Sequence, residues 1–511
     1  MRSESQSALL DLHGRVQTFA PFKVVLVGDY MLDRQIRGTV DRISPEAPVP
    51  VLTSRSQADF ESSPGGSGNV AACLAALGGV VHCIGVVGDD PDGGLLRTGL
   101  ESIGCVTEGL VEDSTRPTTL KQSMVGLAQH RHPQKMFRFD IESTDPLSAE
   151  CEQRLLDALA KALPGSAVVC LEDYGKGVCS PRVCEETMRM ASELGIPVMV
   201  DPASRDSFER YSGAALITPN RSEAERALGG GATPSTASSS GVEHGRSLAE
   251  RLHGSLDVSE IVVTIDRDGA VYSVDRGTEP VHVATRARHV YDVTGAGDVV
   301  LAVLAACKAH SMGIHESVQL ANIAAGLEVE TFGVRPIPLG ELSGALLDEA
   351  RGGGRERDLP TLLDELDQLR REGKRVVLTN GCFDVIHAGH VAYLREAGMV
   401  GDVLVVGLNS DEQVRIQKGA DRPIFNATER LEILGELRCI DYLVIFEEPT
   451  AESLIRAIRP DVYVKGGDYQ PEEIAEYGLL TELGIETRVL ASRPGLGSSA
   501  LIDRIRSQSG A

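Results

Sequence analysis

The sequence predicts an α/β protein built on two open sheets, the first three-layered with a small β lid and the second Rossmann-like. Three observations lead there. Short continuous apolar runs alternate with helix-length stretches along most of the 511 residues. A charged, glycine-rich break at residues 351–358 interrupts this pattern. After the break the strand–helix alternation begins afresh. The length alone exceeds one ordinary domain.

Residues 1–22 read as a short helix or tail leading into the first strand, 23–29 (Lys-Val-Val-Leu-Val-Gly-Asp). That run has no polar alternation, so both faces need cover, as in a parallel sheet between helices. Similar runs follow at 80–87, 167–171, 197–200, 214–217 and 261–265, with helical stretches at 69–77, 151–163 and 181–194 among them. Residues 39–53 and 118–139 show alternation and little helix, and are read as the lid. Residues 229–241 are a low-complexity Gly/Ser/Thr loop. Beyond the break, Leu362, Leu363, Leu366 and Leu369 share one helical face, and strands are expected at 375–379, 402–408, 442–446, 461–465 and 486–490. The expected domains are therefore 1–350 and 359–511, joined by a flexible linker at 351–358.

A formal charge of −24 argues against nucleic-acid and membrane-surface partners. No apolar run is long enough to span a bilayer, and the N-terminus lacks a signal-peptide core. Ten scattered cysteines, none in a Cys-x-x-Cys pair, predict a reduced, cytoplasmic protein without a disulfide framework or zinc site.

The chemistry gathers at strand ends. Residues 292–298 (Asp-Val-Thr-Gly-Ala-Gly-Asp) lead from a β-type run into a long apolar helix. Gly295, Ala296 and Gly297 can present unpaired helix-start amides to an anion, and Asp298 beside them can take a proton from a hydroxyl. Asp29 and Asp33 follow the first strand, where short carboxylates suit sugar hydroxyls. Gly65, Gly66 and Asn69 open another helix, with Asn69 both donor and acceptor. Asn220 and Glu223 enter a further helix, placed to position a magnesium shell. Lys121 and Arg138, on the lid, form a basic pair suited to a phosphate already on the sugar. Each of these has a plain structural alternative, since Asp and Asn cap helices and glycines make turns.

In the second half, residues 380–390 (Asn-Gly-Cys-Phe-Asp-Val-Ile-His-Ala-Gly-His) follow a strand. His387 and His390 are placed to donate to a triphosphate and stabilise charge at its α-phosphorus. Lys418, Arg422, Arg430 and the run from Lys465 to Tyr469 add cations to an acidic chain, and Lys418, Arg422 and Lys465 are expected to meet the nucleotide phosphates.

Residues 23–345 resemble the ribokinase-like carbohydrate kinases. The resemblance implies that Asp298 is the catalytic base, that Gly295, Ala296 and Gly297 form the anion hole, and that Asn220 and Glu223 organise Mg²⁺ and ATP. It also implies sugar binding by Asp29, Asp33, Gly65, Gly66 and Asn69, with the nucleotide base near 264–269 and 322–325. The second half is similar to nucleotidyltransferases with a His-x-Gly-His signature. Their hydroxyl-rich phosphate cradle corresponds to Gly497-Ser498-Ser499, in which one hydroxyl has become glycine. The order of the halves, residues 42–50 and residues 465–469 resemble a fused kinase–adenylyltransferase family of lipopolysaccharide core synthesis. That resemblance implies heptose 7-phosphate and heptose 1-phosphate as substrates and ATP for both halves. It implies as well a separate phosphatase acting between the steps, and a homodimer through the lid. Two rivals stay open on the residues: a fused cytidylyltransferase for another sugar or polyol phosphate, and a half kept only to sense nucleotide.

Overall fold

The computed structural model describes residues 4–54, 60–127, 134–229, 241–285, 295–330, 335–350, 355–371, 373–467 and 470–490. Contacts divide the chain into two compact units, Met1–Ala350 and Arg351–Ala511.

In the first unit the strands are β1 (Phe22–Gly28), β2 (Tyr30–Ile43), β3 (Pro50–Thr53), β4 (Phe60–Gly66), β5 (Gly79–Gly88), β6 (Val106–Asp113), β7 (Thr119–Leu127), β8 (Gln134–Ile141), β9 (Val168–Glu172), β10 (Val198–Asp201), β11 (Leu216–Ile217), β12 (Glu260–Thr264), β13 (Ala270–Ser273) and β14 (Val281–Val283). Nine of them make the main sheet, in the order β14-β13-β12-β11-β10-β9-β1-β5-β6. It is parallel except where β13 meets β12 and β14. The continuous apolar runs have a direct cause. Val24 and Leu26 of β1 enter one core, with the helices Ser67–Ala76, Ala296–Ala309 and Ile314–Val329. Val25 and Val27 enter the other, with Ala149–Ala162, Pro181–Glu193 and Gly241–Ser255. Period-two side chains thus feed two buried faces, giving three layers.

The lid is larger than the sequence predicts. It is a sheet of order β3-β2-β7-β8 with β4 paired to β2, and it begins at Tyr30 rather than near Thr39. Asp33 therefore lies on a lid strand, not in a loop after β1, and Gly65 and Gly66 end β4.

The second unit holds β15 (Val376–Gly381), β16 (Val403–Asn409), β17 (Tyr442–Phe446), β18 (Val462–Gly466) and β19 (Glu486–Leu490), all parallel, in the order β17-β16-β15-β18-β19. Val376 and Leu378 face one core and Val377 the other. The chain reverses direction across the sheet at β15, the position where open α/β sheets bind ligands.

The expected flexible linker needs correction in its second half. Arg357 N–H donates to the Leu443 carbonyl at 2.8 Å, and Leu443 N–H to Arg355 at 2.7 Å. Arg357 Nε also reaches buried Glu365 at 3.0 Å. Backbone pairing to β17 makes these residues part of the second unit. The low-complexity loop, apart from its ends Gly229 and Gly241, lies outside the described residues.

Candidate active sites

The first site lies at the carboxyl ends of β1, β9, β10 and β11. Gly295 caps the helix Ala296–Ala309 in a left-handed conformation (φ 97°), with no side-chain cap on the first helical amides. Asp298 is on the first turn and 7% exposed. Its neighbours are polar. Asn69 Nδ2 donates to one carboxylate oxygen, and Tyr174 Oη to the other at 2.9 Å. Burial pushes its pKa up to about 6, opposed by the Asn69 and Tyr174 bonds and by Lys121. An oxygen of Asp298, one of Glu172 and one of Asp201 lie within 4.8 Å of one another. Residues 292–294 of the signature lie outside the described residues.

Asn69 is thus a partner of the base as much as a sugar ligand. Its helix, Ser67–Ala76, starts after Gly66 (φ 55°), where a Cβ would come within 2.5 Å of Met31 Cε and 2.7 Å of the Asp29 carbonyl. A Cβ at Gly65 would collide with the Asp33 carboxylate. Asp33 faces Lys121 in register across β2 and β7. Burial raises its pKa, while Lys121 and Arg138 oppose the rise. Lys121 Nζ also stands 4.9 Å over the Tyr174 ring. Arg138 forks onto Asp140, with Nη2 at 2.6 Å, and is 58% exposed.

Asp29 departs from expectation. Its carboxylate, 2% exposed, accepts the amides of Tyr174 (2.9 Å), Lys176 (3.0 Å) and Val178 (3.1 Å). Three backbone donors take three of its about four acceptor sites, so it holds the segment after β9 in place, and little of it is open to a sugar. Asp173, missed in the sequence, does similar work by accepting Tyr211 Oη at 2.6 Å and Arg205 at 3.1 Å.

Asn220 and Glu223 form a reciprocal capping box at the helix Arg221–Ala227. The Glu223 carboxylate lies near enough to Glu172 and Asp201 to help raise their pKa values. The metal expectation rested on Glu223; the structure adds Glu172 and Asp201. Nothing in the sequence flagged them beyond their being acidic residues directly after two expected strands. Asn322 donates to the Val283 carbonyl at 2.8 Å, and Asn220 bridges to Thr264, which places both expected base-binding stretches beside β12 and β14.

The second site follows β15. His387 caps the helix Ala388–Gly398, its Nδ1 accepting the His390 amide at 3.4 Å. This bond assigns the His387 proton to Nε2, leaving a donor for a ligand. The two imidazoles stack, with centroids 3.9 Å apart. Burial, then His387 and Lys418, push His390 down to about 4; burial and Lys418 lower His387. Both rings are therefore neutral donors near pH 7. Lys465 Nζ is 2.7 Å from Asn380 Oδ1 and 3.1 Å from Tyr463 Oη, and burial lowers its pKa.

Arg422, expected to bind phosphate, and Arg430 are both engaged inside the second unit. Arg422 Nε pairs at 2.8 Å with Asp384, which is fully buried. Arg430 is wholly buried, bonded to the Cys382 carbonyl at 2.5 Å and Asp411 at 2.7 Å. Desolvated carboxylates need such partners more than a solvated ligand does. Gly497, Ser498 and Ser499, with Asp468 and Tyr469, lie outside the described residues.

Comparison with known proteins adds the following. The pfkB family of carbohydrate kinases matches residues 22–339, and the cytidylyltransferase-like family matches 378–502. Over 487 residues the chain is 41% identical to the "Bifunctional protein HldE" of Pelobacter propionicus, covering 94% of this chain and 95% of the relative. It is 40% identical to the protein of the same name from Alkalilimnicola ehrlichii, covering 96% and 98%. The crystal structure of phosphofructokinase-2 from Escherichia coli in complex with substrates and products aligns with a TM-score of 0.51 at 17% identity. It covers 64% of this chain and 98% of that one, and shows a shared fold.

Proposed function

Since the chain belongs to the bifunctional HldE family, a pfkB carbohydrate kinase followed by a nucleotidyltransferase, we propose that it activates a heptose in two steps. It is a bifunctional, ATP-using enzyme. The first unit phosphorylates D-glycero-D-manno-heptose 7-phosphate at C1. The second transfers AMP from ATP to heptose 1-phosphate, giving ADP-heptose and pyrophosphate for lipopolysaccharide core synthesis. A separate phosphatase must remove the 7-phosphate in between. The setting is cytoplasmic, and no described helix is long and apolar enough to cross a membrane.

The observation that carries the first step is Asp298, fixed by Asn69 and Tyr174 beside the open helix start. The neutral C1 hydroxyl needs a proton acceptor as it attacks the γ-phosphorus, and the Asp298 carboxylate is placed to take that proton. The Ala296 and Gly297 amides meet the transferred phosphoryl group. Asp33 and Asn69 hold the sugar, and Lys121 with Arg138 receives its 7-phosphate. Mg²⁺ accompanies ATP and would screen the phosphate charge; Glu223, a hard oxygen donor near Glu172 and Asp201, fits it. The second step needs no base, because its nucleophile is already a phosphate anion. There His387 Nε2–H, His390, Lys418 and Lys465 stabilise charge growing at the α-phosphorus. The Phe137 and Phe139 side chains, 64% and 50% exposed on one face of β8, support a homodimer through the lid.

The decisive experiment incubates the protein with heptose 7-phosphate and ATP, then adds a bisphosphate phosphatase with or without CTP. The 1,7-bisphosphate before the phosphatase is added, and ADP-heptose after it in both arms, are expected. A CDP-sugar in the CTP arm, or no 1,7-bisphosphate before the phosphatase, would refute the assignment.

A further inference from the structure

We infer that Asn380 is a positioning residue of the second unit: its uncharged side-chain oxygen, with Tyr463, holds the Lys465 ammonium ready for a ligand phosphate without neutralising it. Asn380 lies near the carboxyl end of β15, and Tyr463 and Lys465 lie on β18. The two strands are parallel neighbours with Leu378 opposite Tyr463, so two residues further along each strand Asn380 comes opposite Lys465. This is the point where the chain reverses direction across the sheet. Asn380 Oδ1 accepts Tyr463 Oη at 2.6 Å and Lys465 Nζ at 2.7 Å, which uses both lone pairs of the carbonyl. The partners also fix the amide, since turning it over would set its N–H groups against an ammonium.

Lys465 is held but not used up. An ammonium has three N–H groups. Two go to Asn380 and Tyr463, at 2.7 and 3.1 Å. Glu476 stands 3.9 Å away, beyond hydrogen-bond reach, so among the described residues the third N–H meets no acceptor. The titratable groups facing Lys465 are Tyr463 on its own strand, Cys382 just after β15, and Glu476 just before the helix Tyr477–Glu482. Burial lowers the Lys465 pKa against the opposing pull of Glu476 and Cys382. Cys382 also feels Lys418, so both lysines border the motif that carries the histidines. A half-desolvated cation without a bonded counter-ion attracts an anion strongly. An aspartate at 380 would hold the lysine as firmly and cancel its charge, so a neutral acceptor suits a cation that meets phosphate. The part Lys465 plays in turnover rests on the adenylyltransferase reading; its charge state and its anion do not.

The test uses the full-length protein with isotope-labelled lysine, in which Lys465→Met identifies the Lys465 NMR signal. In the wild type that signal should titrate with pH and respond to inorganic pyrophosphate. Asn380→Asp puts a counter-charge in the same place. The titration midpoint should then move upward, and pyrophosphate should bind at that signal at least about tenfold more weakly. Tyr463→Phe removes one acceptor of the ammonium, so the midpoint should move downward. Thermal unfolding reports whether each variant folds; if Asn380→Asp does not, Tyr463→Phe decides alone. With ATP and heptose 1-phosphate, Asn380→Asp should carry the alkaline limb of kcat/KM to higher pH and lower its plateau, which a merely structural role would not do. A midpoint that stays put in the folded variant, pyrophosphate binding that is not weakened, or a wild-type signal blind to pyrophosphate would overturn the inference. A wild type whose Lys465 behaves as expected yet which makes no nucleotide sugar refutes the adenylyltransferase reading and leaves the role of Asn380 standing.

Discussion

At Asp298 a single carboxylate is fixed by two donors from different elements, and its replacement should separate the two activities. Asp298→Asn should cost sugar phosphorylation about 10²–10⁴-fold while adenylyl transfer is unchanged, measured by product formation with each sugar phosphate. His390→Ala should do the reverse. His390 also carries a pH signature. Its folded pKa is depressed to about 4 from an ordinary 6.5. The stability it contributes is therefore present above pH 6.5 and is lost as pH falls from 6.5 towards 4. Ring titration by NMR should place the midpoint near 4 in the free protein. Lys418→Ala, by removing a nearby positive charge, should move that midpoint upward. The residue types in the motifs were readable from the sequence. What each one touches was not, because Asp29, Arg422 and Arg430 are captured by partners remote in the chain.

Among the elements, turns and pairings decide whether those residues reach their places. Gly66→Ala would force a Cβ against Met31 and the Asp29 carbonyl at an unfavourable φ. A loss of about 1–3 kcal/mol in urea unfolding is expected, with weaker kinase activity because the helix bearing Asn69 shifts. Arg422→Ala would leave Asp384, fully buried, without its ion-pair partner. It should destabilise the second unit by about 3 kcal/mol, read by chemical denaturation. A mere weakening of ATP binding at unchanged stability would show Arg422 to be a phosphate ligand after all. The main-sheet strands were legible because burial on both faces imposes continuous apolar runs. The lid was legible only in part. Its alternation blurs where β2 begins directly after β1, with no turn residues between Gly28 and Tyr30 beyond Asp29.

For the whole molecule, the two-unit division gives a direct expectation. Residues 1–350 and 351–511, expressed separately, should each fold and keep one activity, and mixing them with a phosphatase should rebuild the two-step conversion. Aggregation of either piece with loss of its activity would show that the units depend on each other. The dimer belongs to this scale too. Phe137→Asp should halve the mass measured by light scattering and leave adenylyl transfer intact. The glycine-rich break marked the boundary in the sequence, but the pairing of residues 355–357 with β17 was not visible there, since a bridge to a distant strand leaves no local pattern.

The anchoring of the segment after β9 by Asp29 has a consequence for how defects in this enzyme would be recognised. Loosening that tether frees Tyr174, and with it one of the two grips on the proton acceptor, although no sugar or nucleotide contact has been altered. A variant at Asp29 would bind its substrates and turn them over poorly, and a survey of ligand affinity alone would pass it as healthy.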